Sequence, residues 1–203
     1  MFRLACILSL FFFASGKDNV HKLSFQIEDH STLSLSGKTN VNTFDCACTD
    51  KFPPSILEAE VDDNSNTIHF KNTAIQIKAT SLNCKKYLMT KDMHKALKAD
   101  KFPFITVELT DATAMHTEKI LETGRFYPYT ANTKISIAGQ THPQKLIVRV
   151  QRLSDHLIKL SACKDISMKE YGIKPRTPLN VVKIEDKVTI NFEMTVILSH
   201  ELH

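Results

Sequence analysis

The chain has no tryptophan, only 5 glycines in 203 residues, and a net charge of just +4. Each shortage excludes something. With so few glycines there is no Gly-rich loop to cradle a phosphate. No HExxH pair is present, and His200-Glu201-Leu202-His203 has the wrong spacing for a helical zinc pair. No G-x-S-x-G nucleophile turn exists. The 26 basic and 22 acidic residues nearly cancel, so the chain lacks the clustered basic stripe that marks a nucleic-acid binder. No repeat of 20–50 residues is visible. No apolar run approaches the ~20 residues that a membrane-spanning helix needs. Disorder is excluded as well, because 42% of the residues are hydrophobic and the net charge is low. Nothing in the sequence assembles a catalytic or metal-binding constellation. The nine histidines are scattered, and Glu58 and Glu60 read as a solvated polar loop rather than an acid/base pair.

The length suits one domain, preceded by a leader. Arg3 precedes an apolar run of ~11 residues from Leu4 to Ala14. Ala14-Ser15-Gly16 then supplies the small residues of a cleavage site, and Lys17, Asp18 and Asn19 turn the chain polar. Residues 1–16 therefore read as a secretory signal peptide, with cleavage near Gly16 and a mature domain over 17–203 that is periplasmic or secreted.

Four cysteines remain after cleavage: Cys46, Cys48, Cys84 and Cys163. An exported protein sits where disulfides form. Cys46 and Cys48 are two apart and share a strand face. They cannot easily bond to each other along an extended backbone, so either one is expected to pair with Cys84. A zinc site built on the same three cysteines is the alternative, although Cys-x-Cys is a poor match to the usual Cys-x₂₋₄-Cys spacing. Cys163 reads as a free, buried small hydrophobe.

The mature chain alternates apolar and polar residues over most of its length, the signature of antiparallel sheet with one wet face. Phe25 and Ile27, Ile75 and Ile77, Ile105 and Val107, Ile135 and Ile137, and Leu146 and Val148 follow this rule. The longest case is 188–198, where Val188, Ile190, Phe192, Met194, Val196 and Leu198 hold one face. Eleven such residues span roughly 36 Å. Turn residues separate the runs, which predicts a sandwich or barrel. One segment has a different period. Met89, Met93, Ala96 and Leu97 recur at helical spacing, Thr90 offers a cap, and Pro103 forbids continuation. This predicts one short helix over about 91–99, covering the open end of the sheet.

Several stretches resemble the YceI-like family of periplasmic polyisoprenoid-binding proteins. Phe25-Gln26-Ile27 with His30-Ser31 is similar to that family's opening strand and turn, and 37–44 (GKTNVNTF) to its "G…F" stretch. Met93, Leu97 and Lys101-Phe102-Pro103-Phe104-Ile105 are similar to its helix and strand entry. The run 135–143 (ISIAGQTHP) resembles its "L-x-I-x-G-x-T-x-P" signature, and 166–173 (ISMKEYGI) stands where the family has "I-x-R-S-D-F-G-I". Here Met168 replaces the Arg, and Lys169-Glu170-Tyr171-Gly172 replaces the S-D-F-G element. The cysteine set is not a general family feature.

The resemblance implies an all-β, elongated lipocalin-like antiparallel barrel of about eight strands enclosing an apolar tunnel. It implies an exported lipid-binding protein without catalysis, holding a long isoprenoid or quinone-like molecule and needing no other cofactor. The implied lining is Phe25, Ile27, Ile75, Ile77, Val107, Ile135, Ile137, Val148, Ile190, Phe192 and Met194, with Met89, Met93 and Leu97 as an adaptable plug. Partners are then a long-chain apolar small molecule, with no nucleic acid, no stable membrane span, and a homodimer allowed. Two other readings compete: a filled-core barrel serving as a scaffold, and a cysteine-based redox or metal module.

Overall fold

The computed structural model describes residues 20–52, 55–62, 64–71, 73–118, 120–175 and 182–200. The expected signal peptide lies outside the described residues. Strands β1 (Val20–Ile27), β2 (Thr32–Thr39), β3 (Thr43–Cys48), β4 (Ile56–Asp62), β5 (Thr67–Lys71), β6 (Ala74–Lys78) and β7 (Leu82–Asn83) come first. Helix α1 (Tyr87–Ala96) follows. The long strands β8 (Phe104–Ala114), β9 (Phe126–Ile137), β10 (Gln140–Arg152), β11 (Leu157–Ser167) and β12 (Ile184–His200) complete the chain. All join one sheet, which closes when β1 pairs with β12. The closed ring runs β1-β4-β5-β8-β9-β10-β11-β12, eight strands as expected. Closure removes the exposed edges that an open sheet of this size would carry.

The remaining strands arise because the first half of the wall is built in pieces. β12 is 17 residues long and serves two partners. Its C-terminal part pairs with β1, in the register Phe25 to Leu198 and Ile27 to Val196. Its N-terminal part pairs with β2, in the register Leu33 to Phe192 and Leu35 to Ile190. The chain jogs between β1 and β2 at a turn in which the Ser31 hydroxyl donates to the Glu28 carbonyl at 2.9 Å. In the same way β8 pairs with β5 at one end and β6 at the other. In the α1-side half, β3 pairs with β2 and with the two-residue β7, and β6 pairs with β8. The 3₁₀ turn Ala79–Ser81, β7 and α1 occupy the stretch of chain between β6 and β8.

Pairing fixes which side chains point inward, since directly opposed residues share a face. Ile75, Val107 and Ile135 line up across β6, β8 and β9, and so do Ile77, Ile105 and Ile137. Ile27, Leu57, Ile135, Met194 and Val196 are buried in one continuous core, and Phe52 packs edge-on against Phe192 at 5.9 Å. The β9–β10 turn is a two-residue hairpin with positive φ at Ala138 and Gly139, the type I′ geometry that matches sheet twist. Gly37 has a different task. It lies opposite Phe44, and an added Cβ would stand 2.6 Å from Phe44 Cε1.

Four expectations need correction. The helix was expected over about 91–99 and runs Tyr87–Ala96. Thr90 is no cap, since its hydroxyl accepts the Cys84 N–H at 3.0 Å from within the helix, and Lys86 holds the N-cap position without a side-chain bond. The helix stops well before Pro103 because Lys98 is left-handed (φ 53°). Ala99 N–H then reaches His94 O and Lys98 N–H reaches Lys95 O, the paired bonds of a Schellman motif. Cys163 is free but exposed, because it opposes Asn191 on the outer face. Glu58 and Glu60 lie on β4, not in a loop.

Candidate functional site

A cavity of about 560 Å³ lies at the α1 end of the barrel. Its wall comes from the inward positions of several strands: Leu35 and Phe44 from β2 and β3, Ile105 and Ile137 from β8 and β9, and Ile166 and Ile190 from β11 and β12. Helix α1 closes the other side with Met89, Met93, Ala96 and Leu97, which recur at the i, i+4, i+7, i+8 spacing of one helix face. The polar exceptions are few and include Thr39, Asn42 and Asp92. Such a surface reads width and apolarity and offers almost nothing to a hydrogen-bonding ligand.

The helix is held to the wall at three points. Cys46 is bonded to Cys84 across 38 positions of sequence, just before α1 begins. Thr90 takes the Cys84 amide, and the His94 ring nitrogen Nε2 lies 2.9 Å from the Leu82 carbonyl. The register continues from Ala47–Asn83 and Cys48–Leu82, which sets Cys46 opposite Cys84. Cys48 is left as a thiol, its sulfur 3.0 Å from the Ser81 hydroxyl. It borders a smaller cavity of about 200 Å³ with Phe52, Ile77 and Phe104. The three-cysteine zinc alternative loses its ligands, because Cys46 and Cys84 are not thiolates.

The turn after β11 forms another part of the rim. Asp186 accepts the Ser167 hydroxyl at 2.6 Å and the Lys169 amide at 2.8 Å. The Ser167 bond first, and the Lys169 contacts after it, hold its carboxyl below the usual 3.8. This fixes a turn that presents Met168 and Ile173 to the cavity and sinks Tyr171 completely. Gln144 Nε2 donates to the Tyr171 hydroxyl at 3.3 Å, and burial pushes the Tyr171 phenol up. His142 meets the Tyr171 ring edge-on at 5.0 Å.

The sequence-predicted lining divides among three places. Met89, Met93, Leu97, Ile137 and Ile190 border the cavity. Ile27, Ile75, Ile77, Ile135 and Met194 are buried in the packed core, with Phe25, Val107 and Phe192 against it. Val148 is half-buried and shares a face with Tyr129 and Ala162. The cavity therefore sits at the α1 end, while the inward residues nearer the middle pack on each other. Leu35, Ile105 and Val188 border the cavity although they were not in the expected lining. Ile105 and Val188 already stood in alternating runs, and Leu35 opposes Ile190, so carrying the parity through to the lining would have included them. Tyr87 and Leu88 were missed because the helix was expected to start after them.

Residues 25–196 match the model of the YceI-like domain family. Two solved structures are similar to this chain. One is a polyisoprenoid binding domain from Saccharophagus degradans implicated in plant cell wall breakdown, with 14% identity, 86% of this chain and 98% of that one covered, and a TM-score of 0.62. The other is BcnA of Burkholderia cenocepacia, with 16% identity, coverage of 81% and 95%, and a TM-score of 0.57. At these identities the likeness speaks for the fold. No curated protein matches the sequence.

Proposed function

The chain belongs to the YceI-like domain family, and we propose that it is an exported carrier of a chain-like apolar molecule, an isoprenoid or quinone-like lipid, which it holds beneath α1 without chemical change. The observation that carries this reading is the cavity of about 560 Å³ with its nearly all-apolar wall, a size and character typical of a small-molecule site. The polyisoprenoid-binding domain of Saccharophagus degradans shares the fold, which supports the ligand class.

The volume sets a scale. At about 30 Å³ per water-sized group, the space takes about 19 of them, or about four isoprene units. Burying that many methylene-like groups at about 0.8 kcal/mol each gives about 15 kcal/mol before costs. Association takes back about 4–15 kcal/mol, so a tail that fills the cavity binds more tightly than a shorter one. A longer chain leaves through the mouth beside Val41, Tyr87 and Leu88. Met89 and Met93 suit this role, because unbranched thioethers repack around varied shapes.

Export is part of the same proposal. It rests on the leader-like residues 1–16, and the Cys46–Cys84 bond fits an oxidising compartment. The test is extraction of protein purified from its native host, with mass spectrometry of the extract and of the protein's N-terminus. The expected result is a stoichiometric isoprenoid lipid and a chain that starts near Lys17. A native protein free of lipid would defeat the carrier reading, and an intact Met1 would defeat export.

A further inference from the structure

We propose that the mouth of the cavity is a docking face for an anionic lipid bilayer, so that cargo passes between membrane and cavity without crossing water; this rests on the carrier reading above. Three large apolar side chains stand out at this mouth: Val41 is 65% exposed, Leu88 67% and Tyr87 76%, and all three also border the cavity. They come from two separate pieces of chain, the β2–β3 turn and the start of α1. Other exposed apolar residues, such as Met115, Ile120 and Phe126, do not border it. Apolar tips that protrude beside a cavity opening gain only when something other than water covers them. Tyr is a side chain suited to the boundary of lipid and water.

Charge selects the occupant. Lys38, Lys85, Lys86, Lys91, Lys174 and Lys183 are all exposed and belong to the segments that form this rim. None of the six forms an ion pair among the described residues. Elsewhere some lysines are matched, as in Lys51–Asp29, Lys134–Glu108, Lys159–Glu193 and Lys187–Asp165, and others, such as Lys95, Lys98 and Lys145, form no ion pair among the described residues; what sets the mouth apart is that its unpaired lysines surround exposed apolar tips. The segments 38–42, 84–91, 173–175 and 182–184 contain no acid; the nearest in sequence are Asp92, half-buried at the cavity, and Glu185. Lys85 and Lys86 also stand at the positive end of α1, where no acid occupies the first turn. Lysines there work against the helix dipole, so the arrangement costs the isolated protein something that an anionic surface returns. An apolar tip within a ring of unmatched lysines is complementary to an anionic bilayer, whose surface attracts each nearby Lys and whose interior accepts the tip.

The experiment is flotation of the purified mature protein, its start near Lys17 verified by mass spectrometry, with vesicles of phosphatidylcholine alone or with about one-third phosphatidylglycerol. Wild type is expected to float with the anionic vesicles and to be released by salt, which screens exposed charges. The triple variant Lys85→Gln, Lys91→Gln, Lys174→Gln is expected to bind about a hundredfold more weakly while yielding the same extracted lipid. Tyr87→Ser with Leu88→Ser is expected to lose at least tenfold. Equal flotation with neutral vesicles, no flotation at all, or unchanged binding by the triple variant would each overturn the proposal. So would a dimer in sedimentation that Tyr87→Ser with Leu88→Ser dissociates without any vesicle binding, since the face would then belong to a second copy. Extraction keeps the two readings apart: loaded protein that does not float defeats docking alone, and lipid-free protein that floats defeats the cargo reading alone.

Discussion

Removing the Cys46–Cys84 bond is the sharpest single test of how α1 is secured. Replacing both residues by Ala deletes a cross-link that closes 38 positions of chain. The loop-entropy expression then gives about 3.9 kcal/mol near room temperature. Both positions are buried, Cys46 at 2% and Cys84 at 5% exposure; Ala removes one sulfur atom at each, so the space left behind adds about 1 kcal/mol at most. Near the size of this domain each kcal/mol moves the melting temperature by about 2–4 °C, so the double variant should melt about 8–16 °C lower. Changing both residues matters, because Cys48 shares the face of Cys46 and would otherwise compete for Cys84. The assay is urea unfolding of wild type and variant, each without reductant. Two results should accompany the lower midpoint: a larger m-value, because the unlinked chain exposes more surface, and faster hydrogen exchange in α1 than in β9 or β10. A loss below about 1 kcal/mol would refute the reasoning, since chain entropy alone demands more than that.

Other outcomes are expected. Lys98→Gly should stabilise the protein by about 1 kcal/mol in thermal melts, because a side chain now sits in the left-handed position where glycine is favoured. Gly37→Ala should cost about 1–3 kcal/mol by overpacking against Phe44, and should weaken binding of an apolar fluorophore because Phe44 also borders the cavity. Asp186 has a folded pKa below 3.8, so its contribution is complete above that value and disappears as pH falls through the folded pKa. The melting-temperature gap between wild type and Asp186→Asn, measured from about pH 7 down to about pH 2, should therefore close only below 3.8. A gap that closes near neutrality would contradict the Ser167–Asp186–Lys169 arrangement.

The architecture was legible because parity is a strong code. Ile75 with Ile77, Ile135 with Ile137, and the alternating run from Val188 to Leu198 reached the interior as their period required. Strand count was legible only as ring positions. The jog at Ser31 that divides β1 from β2 depends on a hydroxyl–carbonyl bond that no hydrophobic period encodes. The helix was visible in Met89, Met93 and Leu97, yet its ends were misplaced. Lys86 and Lys98 are poor terminators by propensity, and tertiary contacts override them. The cysteine pairing followed from strand register, which the sequence did not contain. Which inward residues border open space and which pack on each other was equally hidden. Ile135 and Ile137 differ by one pleat, but only the second meets the cavity.

The double duty of β12 has a consequence for synthesis. Phe25 pairs with Leu198, so the ring cannot close until nearly the whole chain has left the ribosome. Contacts this distant in sequence slow folding. A nascent chain therefore has no closed barrel for nearly the whole of its translation, and an unclosed chain is what a narrow translocation channel can pass.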